Sequence, residues 1–172
     1  MQTTANSNYT VLVVDDDDDF NNTLRDSLLD VGFNVLTVNS GLKAVKTLQY
    51  GNENVDVVLL DYNMPLLNGA QTLEHLKNQF PNVKTIGVTG LNTSQLPDTY
   101  RNGVEQLLVK PIKTSDLVTA IHSVLGIAAN TKATARKAYW MKLGLWSVVF
   151  VIFCYEILSI LGRLEYEALF LK

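Results

Sequence analysis

Apolar and polar positions along residues 9–126 follow two rhythms that take turns. Val11-Leu12-Val13-Val14 and Val57-Val58-Leu59-Leu60 are unbroken aliphatic runs with no polar alternation, the pattern of strands buried on both faces. Residues 33–38, 83–88 and 105–109 form three further strand-like runs. Between the runs, apolar residues recur at helical spacing: Phe20, Leu24, Leu28 and Val31; Leu42, Val45 and Leu48; Leu73, Leu76 and Phe80; Leu117, Ile121, Val124 and Leu125. Gly32, Gly51, Pro81 and Gly126 stand where helices should end, and Ser40 and Asn68 where they could be capped. Residues 93–102 predict a weaker helix, because Pro97 demands a late start or a kink.

The rhythm is strand then helix, five times over. Such alternation predicts an α/β domain, a doubly wound parallel sheet with helices on both faces. Right-handed crossovers bring every strand's C-terminal end to one edge, and ligands of open α/β sheets bind there. The polar residues that close strands one, three, four and five are Asp15 and Asp16, Asp61, Thr89 and Lys110. They are far apart in the chain and converge only in this fold. Asp61 marks the point where the central run stops, since Pro65 cannot donate to a ladder.

Composition adds a division. Of 172 residues 47% are hydrophobic and 18% charged, a globular balance. The net charge of −3 argues against nucleic acid as the main partner. Residues 1–126 carry 8 Lys/Arg against 14 Asp/Glu, and residues 127–172 carry 6 against 3. An acidic body thus bears a basic, apolar tail. Cys154 is the single cysteine, so no intrachain disulfide can form, which fits a reducing compartment. Residues 1–8 lack the basic and apolar segments of a signal peptide and read as a loose lead-in.

Three carboxylates in one pocket repel each other unless a cation joins them or their pKa values rise. Oxygen donors without His or Cys favour a hard ion, Mg2+ ahead of Ca2+, with Mn2+ a further choice. Mg2+ held by few carboxylates commonly serves a phosphate. Lys110 adds a point charge and Thr89 a hydroxyl. Together these make a phosphoryl-transfer constellation with Asp61 as nucleophile. Asp17, Asp18 and Asp19 read as a solvated run capping a helix. His75 and His122 read as surface or boundary residues, and Tyr62 and Met64 as loop packing.

The motifs Val-Val-Asp15-Asp16, Leu-Leu-Asp61-Tyr-Asn63-Met64-Pro65, Asn68-Gly69, Val-Thr89-Gly90 and Val-Lys110-Pro111 occur in the order and spacing of a known family. Over residues 9–126 the chain resembles the receiver domain of two-component response regulators. The resemblance implies a flavodoxin-like sheet in the order 2-1-3-4-5. It implies that Asp61 accepts a phosphoryl group from a histidine kinase or a phosphotransfer protein and later loses it by hydrolysis, without the chain being a dedicated enzyme. It implies that Asp15, Asp16, Asp61 and the backbone carbonyl of Asn63 hold Mg2+, and that Thr89 and Lys110 grip the phosphoryl group. Many members carry an aromatic switch residue three positions before the lysine; here that position is Leu107.

Residues 127–134 read as a linker and 135–172 as a long C-terminal helix. Residues 143–162 hold one charge, Glu156, and have the length of a membrane span. Lys132, Arg136, Lys137 and Lys142 precede them, which puts the receiver on the cytoplasmic face of the plasma (inner) membrane. Tyr139, Trp140 and Trp146 suit the interfacial belt. Glu156 costs roughly 2.5–3.5 kcal/mol on insertion, unless it is protonated or faces a partner helix. The competing reading is a helix docked on protein and a soluble cytoplasmic chain. The expected function is a phosphoacceptor signalling through protein contacts at the membrane, with neither a DNA-binding nor a catalytic output domain. The alternative is a non-signalling adaptor of a membrane complex that uses the receiver fold for docking.

Overall fold

The computed structural model describes residues 6–127. The linker expected beyond Ile127, the long C-terminal helix with its span at 143–162, and Glu156 lie outside the described residues. Among the described residues no helix is long and apolar enough to cross a membrane.

Five strands form one parallel sheet in the order β2-β1-β3-β4-β5. They are β1 (Thr10–Val14), β2 (Asn34–Val38), β3 (Val57–Asp61), β4 (Lys84–Thr89) and β5 (Gln106–Val109). The helices are α1 (Asp18–Asp30), α2 (Gly41–Tyr50), α3 (Gly69–Gln79), α4 (Asp98–Arg101) and α5 (Thr114–Val124). The fold class and strand order expected from the sequence are those observed.

The pleat explains why β1 and β3 are apolar throughout. Successive side chains point to opposite faces, and both faces are covered. Val11, Val13, Val57 and Leu59 pack on one face with Leu24 and Leu28 of α1 and Leu117 and Ile121 of α5. Leu12, Val14, Val58 and Leu60 pack on the other with Ala44, Leu73, Leu76 and Tyr100. Burial of this kind stabilises by about 1.5–3 kcal/mol per large aliphatic side chain.

The helix ends follow the chemistry of their residues. Asp17 caps α1, accepting from the N–H groups of Asp19 and Phe20, and Asp18 and Asp19 occupy its first turn, where negative charge meets the positive helix end. Ser40 caps α2. Asn68 and Gln71 form a capping box on α3.

Three local expectations change. Leu42 is 57% exposed. The buried face of α2 is set by Gly41 and Ala44, with Val45 and Leu48 partly buried, and Leu42 lies a helical step away from it. Gly41 lets α3 come close, since a Cβ there would meet Thr72 Oγ1 at 2.0 Å. Residues 93–102 are not one helix. A 3-10 turn at Thr93–Gln95 is followed by the single turn of α4, which starts only after Pro97, a proline having no N–H for the ladder. The lead-in over residues 1–8 is anchored from Asn6 onward: this residue is buried, donates to Val31 O at 2.8 Å and meets the ring of His122 at 2.9 Å.

Glu105 fastens the start of β4. Its carboxylate accepts from the Thr85 N–H and from Lys77 Nζ, both at 2.7 Å. Partial burial pushes its pKa up, and the bonds from Lys77 and Thr85 outweigh this, so the net shift is downward. A depressed carboxylate pKa contributes stability at neutral pH that is lost as pH falls through the folded-state value. Glu105→Gln is therefore expected to destabilise by about 1 kcal/mol at neutral pH. Denaturant melts of both proteins should converge below the ordinary glutamate range; a gap that does not narrow there contradicts the assignment.

Candidate functional site

β1 and β3 are neighbours that end together, with Val14 in register with Leu60, so Asp15 and Asp61 emerge side by side at the C-terminal edge. Both are buried, at 2% and 4% exposure, while Asp16 is exposed. Carboxylate oxygens of Asp15, Asp16 and Asp61 lie within 4.8 Å of one another. Lys110 arrives from the end of β5, with its backbone N–H donating to Thr89 O at 2.8 Å. Its Nζ stands 2.5 Å from Asp15 Oδ2 and 2.9 Å from Asp61 Oδ1. The sequence-predicted cluster is thus assembled around one ammonium.

Each oxygen of Asp61 has a donor, because Oδ2 accepts from the Asn63 N–H at 2.5 Å. Asp15 Oδ1 accepts from the Asp17 N–H at 3.0 Å. Burial pushes the Asp15 carboxyl above its ordinary range and the charge of Asp61 adds to this, against the opposing bonds from Lys110 and Asp17. Burial acts to lower the pKa of Lys110, but the bonds to Asp15 and Asp61 prevail and raise it. The ammonium therefore stays charged.

Thr89 is buried, and its hydroxyl accepts from the Leu91 N–H at 3.0 Å. Register pairs Asp61 with Val88, so Thr89 stands one residue further along β4. Asn63 is exposed in the loop after β3, and Leu66 of that loop has φ 67°. Met64 is buried, as loop packing requires. Leu107 lines the space beside Gly87: a Cβ there would lie 2.8 Å from Leu107 Cδ1 and 3.1 Å from the Tyr100 hydroxyl.

Two neighbours of the site were hidden in the helix patterns. Phe20 reads as a core residue of α1, yet its ring centroid lies 4.1 Å from Lys110 Nζ, a cation–π contact that helps aim the ammonium. Asn21 occupies a buried position on α1, and its amide donates to Asp15 O at 2.7 Å. Neither could be read from sequence, since the contacts depend on how α1 rotates over the sheet.

Three carboxylates and one ammonium leave a formal charge of −2 at a site open through Asp16. All donors are oxygen. This set fits a hard divalent cation, which Asp15, Asp16 and Asp61 would hold with the Asn63 carbonyl as a further oxygen donor. Mg2+ is expected to raise the stability of the protein by about 1.4 kcal/mol at roughly ten times its dissociation constant. Asp16→Asn, at the exposed position, should abolish that increment, while Asp17→Asn, which keeps an oxygen to cap α1, should leave it intact. Equal Mg2+ stabilisation of the wild type and Asp16→Asn contradicts the ligand assignment.

Known proteins match the chain over the residues that form the sheet and its helices. A family model described as the response regulator receiver domain matches residues 11–122. The chain is 30% identical over 124 residues to a putative two-component response regulator, ARR21, of Arabidopsis thaliana, covering 72% of this chain and 20% of the relative. It is 32% identical over 122 residues to two-component response regulator 24 of the same plant, covering 70% and 86%. Other curated relatives, from Bacillus subtilis and Haemophilus influenzae, are matched over 46% and 52% of their lengths. Among solved structures, a chain of the CheX-CheY-BeF3-Mg+2 complex from Borrelia burgdorferi superposes with a TM-score of 0.62 and 26% identity, covering 68% of this chain and 89% of that one.

Proposed function

Because the chain belongs to the response regulator receiver family, we propose that it is the phosphoacceptor of a two-component phosphorelay, phosphorylated on Asp61 with Mg2+ bound. The observation that carries this reading is the single ammonium of Lys110 shared by two buried carboxylates at 2.5 and 2.9 Å, with Asp16 open beside them.

The donor is a phosphohistidine on a histidine kinase or a phosphotransfer protein. An oxygen of Asp61 attacks the phosphorus, the new O–P bond forms as the N–P bond breaks, and the electron pair leaves with the imidazole. Hydrolysis breaks the acyl phosphate, releases inorganic phosphate and restores the carboxylate. The Asn63 N–H on Oδ2 and Lys110 on Oδ1 orient the nucleophile. Lys110, freed from part of its pairing, takes up charge on the transferred group. Thr89 can offer its O–H to a phosphoryl oxygen while its oxygen accepts from the Leu91 N–H. When bound, Mg2+ supplies neutralisation of phosphoryl charge at Asp15, Asp16 and Asp61. The chain serves as substrate and partner in this relay, not as a dedicated enzyme.

The same reading places the domain at the cytoplasmic face of a membrane, held by residues 143–162. Its support is their apolar run and the basic residues Arg136, Lys137 and Lys142 before it.

Acetyl phosphate with Mg2+ is expected to label the wild type and Asp17→Asn but not Asp61→Asn; full labelling of Asp61→Asn sinks the assignment. For the tether, the full chain should sediment with membranes and a chain cut before residue 135 should not. A full chain that stays soluble and monodisperse without detergent excludes it.

A further inference from the structure

We infer that Tyr100 is the positioning residue for the backbone that carries Asp61, and that through it α4 senses the state of that carboxylate. The inference rests on the reading of Asp61 as phosphoacceptor.

Tyr100 is the largest fully buried side chain among the described residues, with 0% exposure. It belongs to α4, which has only four residues. One turn of helix has little stability of its own, so the buried phenol is the anchor that places this turn on the sheet. Its hydroxyl donates to Leu60 O at 2.6 Å. That oxygen belongs to the peptide plane whose nitrogen is the backbone nitrogen of Asp61. Because the peptide is planar, a hold on the carbonyl is a hold on the plane that leads into Asp61. On the other side of Asp61, the Tyr62 ring packs on Tyr100, with centroids 5.1 Å apart and planes tilted by 58°. Tyr100 thus grips the chain immediately before and immediately after the acceptor.

Room for the phenol is made by two glycines. A Cβ at Gly87 would come within 3.1 Å of the hydroxyl, and a Cβ at Gly69 would come within 3.1 Å of Tyr100 Cε2 and 2.5 Å of Asp61 O. The ring therefore fits between β4 and the start of α3, against the main chain of the site. Burial, with the charge of Asp61 as a second cause, pushes the phenol well above its ordinary range, so the hydroxyl remains a donor at working pH.

These contacts leave little slack. A shift of the backbone at residues 60–62, when Asp61 gains a phosphoryl group, moves both the acceptor of the phenol's hydrogen bond and the ring beneath it. Packed interiors answer such a shift by moving to a second arrangement, not by stretching. The element that must follow is α4.

The test uses the full chain. Tyr100→Phe removes the hydroxyl and keeps the ring. The labelling rate with acetyl phosphate and Mg2+ reports on Asp61. Hydrogen exchange of the peptide over residues 96–104, with and without beryllofluoride and Mg2+, reports on α4. In the wild type, beryllofluoride should change exchange at 96–104 as well as around Asp61. In Tyr100→Phe labelling should slow by about three- to tenfold, and the response at 96–104 should vanish while that around Asp61 persists. A variant that labels at the wild-type rate and keeps the full α4 response overturns the inference, even if its melting point falls, and leaves the phosphoacceptor reading standing. A wild type that takes neither label nor beryllofluoride overturns that reading and this inference with it. Should Tyr100→Leu, which deletes the ring, fail to fold, the phenylalanine variant still decides.

Discussion

Two carboxylates that are almost out of contact with water face each other across one ammonium, and much else in this domain exists to keep them there. At an effective dielectric of about 20, two like charges no more than 4.8 Å apart repel by at least about 3.5 kcal/mol, and an ammonium 2.9 Å from a carboxylate attracts by about 6. Lys110 can therefore hold Asp15 and Asp61 together, but it cannot neutralise Asp16 as well. The residual charge of −2 suits the site to a divalent cation, and the proposed phosphoryl transfer would rest on it.

Holding that geometry is a task for the sheet. Parallel pairing of β1, β3 and β4 brings their carboxyl ends to one edge, and burial on both faces keeps the strands from slipping. The polar groups at the ends are then aimed locally. The Asn63 N–H sets one oxygen of Asp61, the Asp17 N–H sets one of Asp15, and the ring of Phe20 lies beneath the ammonium. Tyr100 extends this support inward, from the peptide before Asp61 to the short α4.

Much of this could be read from the residues. The aliphatic runs ending in Asp15 and Asp61 and the Lys110-Pro111 pair place the cluster at a strand edge by topology alone, and the structure brings them together. What could not be read depends on distance in space without a periodic signature. Leu42 fits the helical spacing, yet Gly41 and Ala44 are the residues that face inward, with Thr72 packed closely against Gly41. Pro97 announces an interrupted helix but not that only one turn survives after it. Tyr100 looks like any aromatic in a weak segment. Its importance comes from Gly87 and Gly69, the missing side chains around it. Leu107 marks the departure from the family's usual aromatic position, and the structure shows a different ring, from α4, beside it.

The central claim is that among clustered carboxylates Asp61 alone takes the phosphoryl group. Its most direct test is to phosphorylate the wild-type chain with acetyl phosphate and Mg2+, reduce the acyl phosphate with borohydride, and sequence the peptides by mass spectrometry. Reduction turns a phosphorylated aspartate into homoserine and leaves free carboxylates untouched. Assignment of the phosphoryl group to Asp61 predicts homoserine at position 61, with aspartate intact at 15 and 16. Homoserine at either of those positions, or none at 61 under conditions that label the protein, would contradict it.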